Sequence, residues 1–224
     1  MKSTHIFILF CALFVCSVQA QELYFDGGKS VTTFNFKDAL SNELNDLQST
    51  NHSYIDVGYR GKLFTESIFF VGGLGVHSYG AVGNDTFGNY LDWETTYAGV
   101  YLGIDAEIFK IRAFSFHLKG TVGPEVMLQG TQTLNNQVFD ILNEQDFDTP
   151  FVFIRGAASF EYCVSESIAV FFQYRFGRGS QINKNSSGAD LEYTSNDYGI
   201  GLIFKLKKRS DGKNDTKKPT DTKK

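Results

Sequence analysis

From Ser53 onward apolar side chains recur at every second position, the period of a β-strand with two unlike faces. The clearest run is Tyr97 to Phe109, where Ala98, Val100, Leu102, Ile104, Ala106 and Ile108 share one face and Tyr97, Gly99, Tyr101, Gly103, Asp105, Glu107 and Phe109 the other. The same split marks 53–64, 68–79, 114–130, 151–164, 168–178 and 193–206. An eighth run, Leu23 to Phe36, changes phase around Gly27 and Gly28. That change predicts a β-bulge, since glycine permits the extra residue. Connections alternate: short after Phe64, Phe109 and Val164, long before Ser53 and around Asp92, Asp140 and Ser186. An even set of antiparallel strands with this asymmetry predicts an all-β fold, an eight-stranded antiparallel up-and-down transmembrane β-barrel. Its short turns and both termini are then periplasmic and its long loops lie outside. In the first long loop, Leu40, Leu44 and Leu47 are spaced for one short helical face.

Alternation alone also fits a soluble barrel with an apolar interior. Volume separates the two. The apolar face carries Ile55, Val57, Tyr59, Phe70, Leu74, Phe116, Leu118, Ile154, Phe160, Phe172, Tyr174, Phe176, Ile200, Leu202 and Phe204 among others. An eight-stranded barrel has room inside for only a thin fill of side chains, so this set must face outward, toward lipid. The opposite face holds the glycines 58, 73, 75, 99, 103, 123, 177, 199 and 201, as a crowded lumen requires. It also holds six acidic residues (Asp56, Asp105, Glu107, Glu125, Glu161, Asp197) and six basic ones (Arg60, Lys62, Lys119, Arg155, Arg175, Lys205). Buried charges are tolerated when paired. Facing residues of a hairpin have a constant index sum fixed by the turn centre. That arithmetic sets Glu107 opposite His117, Asp105 opposite Lys119, Glu125 opposite Arg155, Arg175 opposite Asp197 and Asp56 opposite His77. These ten residues are the expected polar network of the lumen.

The last strand, Tyr198-Gly-Ile-Gly-Leu-Ile-Phe204, together with the alternating pattern over Glu22 to Leu206, resembles the small outer-membrane β-barrel proteins of Gram-negative bacteria, the eight-stranded OmpA/OmpX-type domain. The resemblance implies insertion by the barrel-assembly machinery, contact with outer-membrane lipid and lipopolysaccharide, and a monomer. The family usually ends on an aromatic residue, whereas here a tail follows Phe204. The tail is too short to form a peptidoglycan-binding domain.

Export fits this location. Lys2, the apolar run Ile6 to Val15 and the small-residue exit Ser17-Val18-Gln19-Ala20 read as a signal peptide over 1–20, cut before Gln21. A lipoprotein anchor at Cys16 is disfavoured by Val15 before it. Cleavage leaves Cys163 alone, so no internal disulfide is expected. The chain of 224 residues then divides into signal, a barrel over 21–206 and a basic tail over 207–224. The tail, with eight Lys/Arg against three Asp, is read as disordered and periplasmic. The barrel keeps 12 basic against 22 acidic residues, a balance that argues against nucleic acid. The 22 Phe, 11 Tyr and 22 Gly against 3 Pro agree with strands and tight turns.

No catalytic, cofactor or metal motif emerges. His52, His77 and His117 lack metal spacing. His52 with Ser53 and a loop acid is the one candidate for an acyl hydrolase at the rim, and it is disfavoured. Trp93, Tyr90 and Tyr97 read as an interfacial belt. The Gly-rich run Val71-Gly-Gly-Leu-Gly lies within a strand and is no phosphate loop. The outer loops are acidic, through Asp38, Glu43, Asp46, Asp85, Asp92, Glu94, Asp140, Glu144, Asp146, Asp148, Asp190 and Glu192. A divalent cation or basic partner is weighed there against simple solvation. The functional expectation is a non-catalytic integral outer-membrane barrel with a filled polar lumen, serving envelope structure or surface contacts. The alternatives are a narrow pore or transporter and a PorT-like accessory barrel of a secretion system. A lipid-modifying enzyme ranks below them.

Overall fold

The computed structural model describes residues 21–37, 47–63, 65–84, 88–142, 144, 149–182 and 190–206. The proposed signal peptide, the basic tail, the Leu40/Leu44 face and half of the acidic loop residues lie outside them.

Among the described residues nine strands form, β1 (Gln21–Lys37), β2 (Gln48–Lys62), β3 (Ile68–Asn84), β4 (Tyr90–Ile111), β5 (Phe114–Leu134), β6 (Gln137–Asp140), β7 (Phe151–Cys163), β8 (Ile168–Gln181) and β9 (Asp190–Leu206). All pair antiparallel with sequence neighbours, β9 returns to β1, and β5 bonds both β4 and β7, so eight strands close into a barrel. The ninth, β6, is a short flap on the outer end of β5. It turns back at Asn135 and Asn136, both at positive φ (46° and 68°), the backbone a two-residue I′ hairpin demands. The tight β4–β5 turn uses Arg112 at φ 56°.

The outward face is apolar. Ile55 is 70% exposed, Ile154 65%, Ile200 69% and Leu74 58%, a surface that water would not tolerate but lipid does. On β4 the apolar outward run from Ala98 to Ile108 spans about 33 Å along the strand, or about 25 Å of membrane once tilted by roughly 40°. Its lower edge carries a ring of aromatic contacts, Phe109 on Phe116 (5.4 Å), Phe116 on Phe160 (4.8 Å) and Phe114 on Tyr162 (4.8 Å). Its upper edge is polar: Lys29 donates to Ser53 (3.2 Å) and Ser78 bonds Thr96 (3.0 Å).

Two expectations are corrected. β1 contains no bulge at Gly27 and Gly28, because its register runs unbroken against both β2 and β9. The even-numbered residues point inward throughout, and Phe34, 1% exposed, looks out of phase only because the upper lumen is itself apolar. Gly28 instead permits close packing, since a Cβ there would fall 2.0 Å from the Tyr198 carbonyl oxygen. Register shifts occur elsewhere, between Ser49 and Tyr54 of β2 and twice between β4 and β5. The second correction concerns Trp93 and Tyr97. Both face inward, 4% and 0% exposed, and only Tyr90 is exposed.

Candidate functional site: the filled lumen

The lumen is built in three storeys. At the end of the short turns the Arg60 guanidinium of β2 donates to Glu22 of β1 (2.6 Å), to Asp105 of β4 (2.9 Å) and through two nitrogens to Glu161 of β7 (2.5 and 3.0 Å). His117 of β5 joins from the side, its Nδ1 3.0 Å from Asp105 and its Nε2 3.8 Å from Glu107. Asp105, His117 and Glu161 offer ligand atoms within 4.8 Å of one another, the spacing of a three-ligand metal set. Arg60 already serves two of the three, so a cation of the protein itself neutralises the group.

In the middle storey Arg175 of β8 donates to Asp56 (2.6 Å) and Asp197 (2.6 Å), and Ser30 donates to the other oxygen of Asp197 (2.5 Å). His77 bridges two carboxylates, Nε2 to Asp56 at 2.9 Å and Nδ1 to Glu125 at 2.7 Å. Arg155 reaches Glu125 at 2.5 Å and the Tyr79 hydroxyl at 2.6 Å, while Tyr79 donates to the second Glu125 oxygen at 2.8 Å. Gln173 holds Asp26 at 2.7 Å, and its carbonyl accepts from Lys119 at 3.2 Å. Every carboxylate of this storey accepts at least one hydrogen bond, the condition under which buried ions are tolerated, although Asp26 Oδ1 accepts none.

The outer storey is aromatic. Tyr79 stacks on Phe153 (4.9 Å, 10° between planes), Tyr193 meets Phe151 at 5.0 Å and Tyr79 at 5.1 Å, and Phe34 sits edge-on to Trp93 at 5.2 Å. Met127, Leu191 and Ile141 complete this plug.

The ten residues read from the sequence thus all lie on the inner face, but not all in the pairs the arithmetic gave. Asp105 faces Lys119 and Glu107 faces His117 across β4–β5, and Arg175 faces Asp197. Arg155, however, faces Thr121 and Glu125 faces Phe151. Asp56 faces Gly75, and His77 faces Tyr54. Side-chain length carries Arg155 diagonally to Glu125 and His77 to Asp56 all the same. Lys119 turns away from Asp105 toward Gln173 and the Tyr24 ring, 5.2 Å from its centroid. Arg60, Glu22 and Glu161 were absent from the expected network, although Arg60 and Glu161 stood among the inward charges. Only the fold brings three distant carboxylates to one guanidinium.

Neither a family model nor a curated protein matches the chain. Among solved structures, the outer-membrane protein OprG of Pseudomonas aeruginosa is similar at 12% identity and TM-score 0.49, covering 86% of this chain and 99% of that one. The outer-membrane protease OmpT of Escherichia coli gives 9% and 0.46, covering 84% and 97%. Ail of Yersinia pestis, solved with the heparin analogue sucrose octasulfate, gives 13% and 0.40, covering 82% and 99%. The class itself follows from the chain's own closure and its apolar exterior: an eight-stranded antiparallel barrel whose outer face suits lipid.

Proposed function

We propose that the protein is a non-catalytic integral outer-membrane barrel with a closed lumen, delivered by a cleaved signal peptide and acting through its outward surfaces. The observation that carries this reading is the stacking of two charge networks under an aromatic plug, all of them buried. A pore needs an unbroken wet path, and the ring stack of Tyr79, Phe153, Phe151 and Tyr193 stands across it. The rim constellation for acyl transfer is not assembled. Ser53 accepts from Lys29 at 3.2 Å, and His52 Nε2 engages Thr50 at 2.6 Å, so His52 is not placed to take the Ser53 proton. Lipid and lipopolysaccharide are then the standing partners, with the barrel-assembly machinery during insertion. The test is planar-bilayer recording of the purified, folded chain. A silent membrane is expected, and discrete conductance steps would replace this reading with a pore.

A further inference from the structure

The outward rows of β3 and β4 pair as Leu74 with Val100, Val76 with Ala98, Ser78 with Thr96 and Gly80 with Glu94. They form one ascending ladder that is apolar for two rungs and polar for the next two. Along the apolar rungs lies a groove of about 440 Å³, lined by Ile55, Val57, Leu74, Val76, Ala98 and Val100. It is a trough because Ala98 is short and glycines 75 and 99 floor it, between the taller Ile55 and Val100. Along the polar rungs lies a second cavity of about 640 Å³, lined by His52, Ser78, Glu94, Thr96, Gln129 and Asp140. One rung of the ladder, about 7 Å, separates the two.

From this juxtaposition we propose that the outer face of β2–β5 binds one lipid molecule, its acyl chain in the trough and an amine-bearing head group in the polar cavity above. The occupant follows from position and charge. The trough is continuous with the lipid-facing apolar band, so hydrocarbon is what meets it. The cavity crosses the band's polar upper edge and presents two carboxylates, Glu94 and Asp140, which suit an ammonium. Hydroxyls of Ser78 and Thr96 and the Gln129 amide can donate to a phosphate or ester oxygen. Burial lowers the pKa of His52, so none of the described residues that line the cavity is cationic at neutral pH. Gly80 is part of the construction, because a Cβ there would lie 2.7 Å from His52 Nε2 and 2.1 Å from the Trp93 carbonyl oxygen. This inference rests on membrane residence, which heat-shifted gel migration checks separately.

The experiment is native mass spectrometry of the full, folded chain, stripped of lipid in detergent. It is titrated with phosphatidylethanolamine or with phosphatidylglycerol of the same acyl chains. One ethanolamine lipid should be retained at about tenfold lower concentration than the glycerol lipid, the scale of one charge-assisted hydrogen bond. Glu94→Gln should erase that preference, and Ala98→Phe, which fills the trough from the lipid side, should weaken retention of both lipids. Equal retention of the two lipids by the parent chain overturns the proposal, with no variant needed. So does retention that ignores both substitutions in chains that still fold.

Discussion

Arg155 and Glu125 make the sharpest test of the charged lumen. Both side chains are nearly inaccessible, at 4% and 3%, and their atoms approach to 2.5 Å. Arg155→Ala removes the cation, its contact with the Tyr79 hydroxyl and its stacking over Phe153 at 4.4 Å. Breaking a buried pair from one side costs about 3 to 5 kcal/mol, because the remaining charge keeps its desolvation penalty. Here the lower end applies. Glu125 still accepts from His77 (2.7 Å) and Tyr79 (2.8 Å) after the arginine has gone. Glu125→Gln leaves the opposite orphan, a guanidinium whose Nε already lacks a partner. The double variant has no orphaned charge at this point, so its loss should fall short of the sum of the single losses by about 1 kcal/mol or more, within the range of contacting pairs. The assay is urea unfolding in liposomes, scored by the gel shift between folded and unfolded chains. If Arg155→Ala melts with the parent, or the two losses simply add, the pair is not a buried ionic contact and the lumen is wet or wrongly packed.

Trp93 is the sole tryptophan, so emission reports one site. Placed in the plug at 4% exposure, it should resist quenching both by iodide and by lipids brominated along their chains, whereas a belt position would be quenched by the lipids. His52 stands above the apolar band, where burial lowers its pKa below the ordinary 6.5. The folded protein then takes up this proton less readily than the unfolded chain. The His52 contribution to stability is therefore whole above about pH 6.5 and is lost as the pH falls below it. Ring resonances followed by NMR should show a midpoint under 6.5, and a midpoint at or above that value contradicts the packing against Gly80.

Much of the barrel was legible because lipid punishes error. Ala98 to Ile108 alternates cleanly, since each outward position must be apolar and each inward one small or paired. The register across the β4–β5 turn was read correctly only because a bulge offsets it: the Arg112-Ala113 turn pairs Ile111 with Phe114, an index sum of 225, and the shift between Glu107 and Phe109 restores the 224 that sets Glu107 on His117. Across the β5–β7 connection it was not. The Asn135-Asn136 hairpin folds β6 back on β5 and displaces the centre, so Arg155 pairs with Thr121 instead of Glu125. Two asparagines in sequence are a turn signal, and reading them as a hairpin would have exposed the offset. The Arg60 cluster had no local signal. Glu22, Asp105 and Glu161 come from β1, β4 and β7, and only closure makes them neighbours.

The misreading of Trp93 and the phase change before Phe34 share a physical cause. Below the row of Ser78 and Thr96 the exterior solvent is hydrocarbon and the interior is ionic, so apolar means outward. Above that row the strands rise into water. There the inside is the plug, and the outside carries exposed Glu94, Thr131 and Asn35. Apolar now means inward. One strand therefore carries two opposite hydrophobic patterns joined at the membrane surface. Where they join, the sequence shows a phase change although the backbone makes none. In β1 that change mimics a bulge, and in β4 it sends Trp93 to a belt it does not occupy. The row where the pattern inverts is itself informative. On β3 and β4 it places the membrane boundary at Ser78 and Thr96, the same row at which the outer groove passes from apolar to polar. The groove and the plug are thus two outcomes of one change of solvent along the same strands.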